Sequence, residues 1–109
     1  MRAGAALARA ATVFAVLGDE TRLSLVTRLC SEGPLSIARL TDELDMTRQA
    51  VTKHLRMMED AGLVRSAPHG RERIWAVEEK RLADARRHLE AISSQWDDAL
   101  GRLKALVEG

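Results

Sequence analysis

In the stretch TRQAVTKHLRMMEDAGLV, residues 47–64, five side chains are of the types that contact nucleic acid: Arg48, Gln49, Thr52, Lys53 and Arg56. At about 100° per helical step these five share one arc, while Val51, His54, Leu55 and Met58 lie opposite. The guanidinium fork of Arg48 matches the two acceptors of guanine, and the Gln49 amide matches the donor and acceptor of adenine. Thr52 suits a thymine methyl or a phosphate, and Lys53 and Arg56 suit phosphates, which fix register without carrying sequence information. Glu59 and Asp60 share the outer arc but sit at its C-terminal end. That asymmetry suits a helix entering the major groove by its N-terminus. Taken alone, the same arc also suits an ordinary solvated helix surface.

The elements around this helix bear on the choice. Thr47 is placed to cap it and Gly62 to end it near Ala61. Ahead of it, Ser36 caps a short helix, IARLTDEL, with Ile37, Leu40 and Leu44 inward, and Asp45–Met46 make a tight turn. Two short helices joined by such a turn form a helix-turn-helix unit. Behind it, LVRSA, PHGR and ERIWAV read as strand, turn and strand. The hairpin carries His69, Arg71 and Arg73, suited to backbone or minor-groove contact, although an ordinary polar turn would have the same composition. Upstream lie a helix over residues 4–17, terminated by a left-handed Gly18, and a second helix, ETRLSLVTRLCS, capped by Asp19. Its inward positions are Leu23, Val26, Leu29 and Cys30. A long helix from about Glu79 closes the chain. Leu82, Ala85, Leu89, Ile92, Trp96, Ala99, Leu103 and Leu106 recur along it at alternating spacings of three and four, a heptad seam. The expected class is mainly α with a small β-hairpin, a winged helix-turn-helix ordered as four helices, two strands and a final helix.

Composition agrees. At 109 residues, with 46% hydrophobic and 30% charged residues, the chain is one folded domain spanning 1–109. Two Trp, one Phe and no Tyr leave an aliphatic core. The net charge is only +1, but from Met46 to Trp75 six bases face three acids, a local excess compatible with an anionic partner. One cysteine excludes an internal disulfide and fits a reducing compartment. The start, MRAGAALARAATVFAVLG, is interrupted by Arg9 and is too short to span a membrane. The chain is therefore expected in the cytoplasm. No Gly-rich phosphate loop, paired carboxylates or nucleophile beside a base is present, so no enzyme is expected.

Three pieces, GDETRL, TRQAVTKHLRMMEDAGLV and the GRERIWAV wing, resemble the ArsR family of winged-helix transcriptional regulators over roughly Ala10 to Trp96. The resemblance implies a homodimeric regulator, usually a repressor, that binds double-stranded DNA. It implies that helices near 4–17 and 79–107 form the dimer interface, with Leu7, Phe14, Leu82, Leu89, Ile92, Trp96 and Leu103 in it. DNA-facing candidates are then Ser36, Thr47, Arg48, Gln49, Thr52, Lys53, His54, Arg56, His69, Arg71 and Arg73. The family carries a His where His54 stands, where it can reach a phosphate from the helix edge; a half-buried structural His is the alternative.

Metal-sensing relatives often carry a Cys-x-Cys pair on the third helix, where this chain has Ser36 and Ala38. A second family site uses Asp and His of the last helix. Here Asp84 and His88 are separated by Arg86 and Arg87 and no second His follows, so no metal and no cofactor is expected. Cys30 reads as a small buried hydrophobe rather than a redox sensor, and Trp75 and Trp96 as core or interface. The competing reading is a winged-helix module that binds protein and not DNA.

Overall fold

Among the described residues, Leu, Val and Ala at helical spacing build five helices, and the change of period after Gly62 builds a sheet. The computed structural model describes residues 2–109. In chain order the elements are α1 (Arg2–Leu17), α2 (Glu20–Glu32), β1 (Leu35–Ser36), α3 (Ile37–Asp42), α4 (Arg48–Asp60), β2 (Val64–His69), β3 (Glu72–Val77) and α5 (Glu79–Glu108). The expected hairpin is β2–β3. The two-residue strand β1 is an addition, pairing antiparallel with β3 so that the sheet order is β1-β3-β2. Leu35–Ser36 is too short to show an alternating pattern, so only its partner strand reveals it.

The core gathers Val13 of α1, Leu25, Val26 and Leu29 of α2, Leu40 of α3, and Val51, Leu55 and Met58 of α4. Leu63, Val64, Trp75 and Ala85 complete it. The expected inner stripe of α4 is therefore the observed one. On α2 the register differs. Leu25 is fully buried, whereas Leu23 and Cys30 are exposed. At about 100° per residue the buried arc runs from Leu25 through Leu29 to Val26, and Leu23 and Cys30 lie roughly 40–60° beyond it. Cys30 is thus a surface thiol, not a buried hydrophobe.

Gly18 ends α1 without entering the left-handed region. There the Gly18 N–H donates to the Ala15 carbonyl at 3.3 Å and Arg22 Nε to the Val16 carbonyl at 2.6 Å, so these terminal carbonyls are satisfied without it. Asp19 caps α2 as expected, accepting from the backbone N–H of Arg22 at 3.1 Å. A second arginine orients α3: Arg28 of α2 donates to the carbonyls of Leu40 and Arg39 at 3.1 and 3.3 Å. Helix α3 stops at Asp42, short of the expected Leu44, yet Leu44 still packs against the core.

The turn of the hairpin is only two residues long, because His69 pairs with Glu72. Gly70 alone of its two central residues has positive φ, 64°, the arrangement of a type II′ turn. Pro68, expected in the turn, lies inside β2, which tolerates it because β2 is an edge strand. Between α4 and β2, Gly62 adopts φ 78°, and a Cβ there would stand 3.1 Å from Nε of Arg81. Gly62→Ala is therefore expected to cost about 1–2 kcal/mol, read as a lower denaturant midpoint.

Helix α5 packs its first turns on α1 and then leaves the body of the molecule, giving a longest dimension of 66 Å. Leu89, Ile92, Trp96, Leu100, Leu103, Leu106 and Val107 along it are 46–79% exposed, and Leu7 of α1 is 63% exposed. Phe14 and Leu82, expected in the dimer interface, are half-buried and pack against the core of the chain. They lie where α1 and α5 are still covered by the other elements. No helix among the described residues is long and apolar enough to cross a membrane.

Candidate nucleic-acid interface

Helix α4 begins where Thr47 Oγ1 accepts from the backbone N–H of Ala50 at 3.1 Å. The cap keeps the first turn wound, so the exposed side chains of Arg48 and Gln49 project from a fixed backbone. Lys53 is exposed one turn further on, with Thr52 half-buried beside it. Arg48 and Lys53 enter none of the ion pairs formed among the described residues. The positive end of the helix dipole adds to their charge. His69 and Arg71 are exposed at the hairpin end, on either side of Gly70. The arrangement offers hydrogen-bond donors and positive charge from one helix start and one hairpin tip.

The remaining candidates have duties inside the chain. Ser36 is 8% exposed and caps α3, its Oγ accepting from the N–H of Arg39 at 3.2 Å. His54 is half-buried, with Nδ1 3.4 Å from the Arg22 guanidinium and 4.0 Å from an Asp19 carboxylate oxygen. Arg22 thus touches α1, α2 and α4 together. The Asp19 carboxyl is held below the usual carboxylate range, first by the backbone N–H of Arg22 and then, against partial desolvation, by the Arg22 and His54 charges. A lowered carboxyl stabilises the fold above its unfolded pKa and ceases to do so as pH falls through the folded one. Asp19→Ala is accordingly expected to melt below the parent protein at neutral pH, with the gap narrowing below the usual carboxylate range.

Arg56 and Arg73 are linked to one carboxylate, Arg56 directly and Arg73 through Ser66. Arg56 donates to Glu59 Oε1 at 3.0 Å and its guanidinium lies 5.3 Å from the centre of the Trp75 ring. The Ser66 hydroxyl donates to the other oxygen of Glu59 at 2.8 Å and accepts from Arg73 at 2.9 Å. The Ser66 hydrogen bond is the main reason the Glu59 carboxyl lies below its ordinary range; the hydrogen bond and charge of Arg56, and then the charge of Arg73, lower it further against desolvation. Pairing of Ser66 with Trp75 in the sheet puts Ser66, Arg73 and Trp75 on one face of the hairpin, the face turned to α4. Sequence reasoning missed this link. Glu59 and Ser66 are seven residues apart across a glycine turn, a separation that belongs to no helix or strand period. The Asp19–Arg22 spacing was the one local signal of the Arg22 cluster.

On α5, Asp84 pairs with Arg87, and His88 Nδ1 donates to the Asp84 carbonyl at 3.1 Å. Among the described residues no three His, Cys, Asp or Glu side chains group closely enough to hold a metal ion. Cys30 instead borders a groove of about 470 Å³ between the end of α2, β3 and the start of α5, with Arg65 and Arg86 at its sides.

Comparison with known proteins fits this geometry. The family described as a helix-turn-helix domain matches residues 17–67. The chain is 34% identical over 92 residues to the HTH-type transcriptional regulator Rv2034 of Mycobacterium tuberculosis, covering 84% of this chain and 82% of that one. It is 32% identical over 59 residues to the arsenical resistance operon repressor of Escherichia coli strain K12, covering 54% of this chain and 50% of the repressor. Among solved structures, an ArsR-like transcriptional regulator from Rhodococcus sp. RHA1 superposes with a TM-score of 0.74 at 37% identity, covering 92% of this chain and 93% of the other.

Proposed function

The chain belongs to the ArsR family of winged helix-turn-helix transcriptional regulators, and from that premise we propose that it is a cytoplasmic homodimeric repressor that reads an inverted repeat in duplex DNA. One observation carries the reading: the capped start of α4 presents Arg48, Gln49 and Lys53 to solvent, free of the ion pairs that occupy Arg56, while the stripe opposite them is buried. Arg48 and Gln49 read base edges; Thr47, Thr52, Lys53, His69 and Arg71 position the helix on the backbone. The apolar stripe of α5 from Leu89 to Leu106, with Leu7 of α1, joins two copies, so that two α4 helices meet successive major-groove faces about one turn of DNA apart. Repression follows by occlusion, since a dimer lying across a promoter excludes polymerase. The Escherichia coli relative is named for an operon repressor.

The test is a salt titration with duplex DNA. Binding is expected at about 50 mM salt and to weaken steeply as salt rises, because each neutralised phosphate releases counterions. No affinity for any duplex at low salt would instead assign the chain to protein recognition. Arg71→Ala is expected to weaken binding to all sequences alike and to reduce the salt slope by about one for each wing that contacts phosphate, read in the same titration.

A further inference from the structure

The basic residues near α4 and the wing differ in their partners, and Arg65 of β2 pairs with Glu78 at 3.5 Å. Arg48, Lys53 and Arg71 stand outside the ion pairs formed among the described residues, whereas Arg56 and Arg73 are both held at Glu59, one directly and one through Ser66. The two held guanidiniums come from different elements, α4 and β3, and the carboxylate that joins them sits in the last turn of α4. Trp75 lies under Arg56 and further limits its reach. Glu59, its side chain 30% exposed, is thus an intramolecular anion placed against the donors that a phosphate would use. An arginine that reaches phosphate adds affinity for every sequence alike; one held back adds none.

We propose that Glu59 is a specificity-determining positioning residue: it locks the end of the recognition helix to the wing and keeps Arg56 and Arg73 off the phosphate backbone. Discrimination then rests on Arg48 and Gln49. This inference rests on the DNA-binding reading above and adds to it a residue of the opposite charge, whose removal strengthens unselective binding.

The experiment uses the full chain, a random-sequence duplex and the duplex that the protein selects from a random pool, each titrated at several salt concentrations. Glu59→Gln removes the charge and keeps the shape. It is expected to tighten binding to the random duplex, to steepen the salt slope by about 0.9 for each arginine that reaches a phosphate, and to shrink the ratio of selected to random affinity several-fold. Ser66→Ala, which frees Arg73 and removes the Ser66 bond to Glu59 but leaves Arg56 paired with Glu59, gives a smaller increase. In an Arg56→Ala, Arg73→Ala background Glu59→Gln no longer steepens the slope. A wing merely loosened would weaken binding to every duplex and flatten the slope. An unchanged or flatter slope in Glu59→Gln, with melting like that of the parent, overturns the proposal while leaving DNA binding intact. Steepening that persists without the two arginines does the same. Failure of the parent chain to bind any duplex overturns both readings.

Discussion

Glutamate at both Ile92 and Leu103 is expected to convert the proposed dimer to a monomer of 12.0 kDa and to cut affinity for an inverted repeat by at least about 100-fold. Both side chains lie on the seam of α5 and are more than half exposed in the single chain, so neither supports the core. Exposed together with Leu89, Trp96 and Leu106, they form an apolar face that water disfavours and that a second copy would cover. Two carboxylates on that face, facing their symmetry mates, must either be desolvated or repel. The effect on DNA is larger than on either contact alone, because the second half-site is bound at the effective concentration set by the first, and a monomer loses that gain. Sedimentation measures the mass and titration with the selected repeat measures the affinity. The far-ultraviolet dichroism of the body, α1 to β3, is retained. A dimer that survives both substitutions would place the interface elsewhere.

Trp75→Ala is expected to cost about 3–5 kcal/mol, a large part of the roughly 5–15 kcal/mol that holds such a domain together. Trp75 is 1% exposed and sits in the central strand, with Leu35 of β1 and Ser66 of β2 as its cross-strand partners. Its removal opens a cavity in the middle of the core and takes the bed from under Arg56. The denaturant midpoint measures the loss. Trp96→Ala is the contrast, since Trp96 lies on the exposed stripe of α5: the core stays filled, and only the proposed pairing of two copies is expected to weaken.

Much of this was legible in the sequence, because helices and strands announce themselves by period. The buried stripe Val51, Leu55, Met58, the caps Asp19, Ser36 and Thr47, and the heptad seam all follow from local spacing. What was not legible depends on partners distant in sequence. Strand β1 exists only because β3 lies beside it. Cys30 and Leu23 are exposed because the arc that α2 buries is set by what packs on it, not by which of its residues are apolar. That Phe14 and Leu82, expected at the interface, also pack on the core depends on the other elements. At the site, the types of Arg56 and Arg73 promised phosphate contacts, and only the fold brings Glu59 and Ser66 to them.

The most direct measurement is selection of binding sites from random duplexes by the purified protein, run in parallel with Arg48→Ala. The expected result is an enriched inverted repeat with half-sites about one helical turn apart, and loss in the variant of preference at one base pair per half-site, worth about 1–3 kcal/mol. No enriched sequence, or a variant whose preferences match those of the parent at every position, would contradict groove reading by the start of α4.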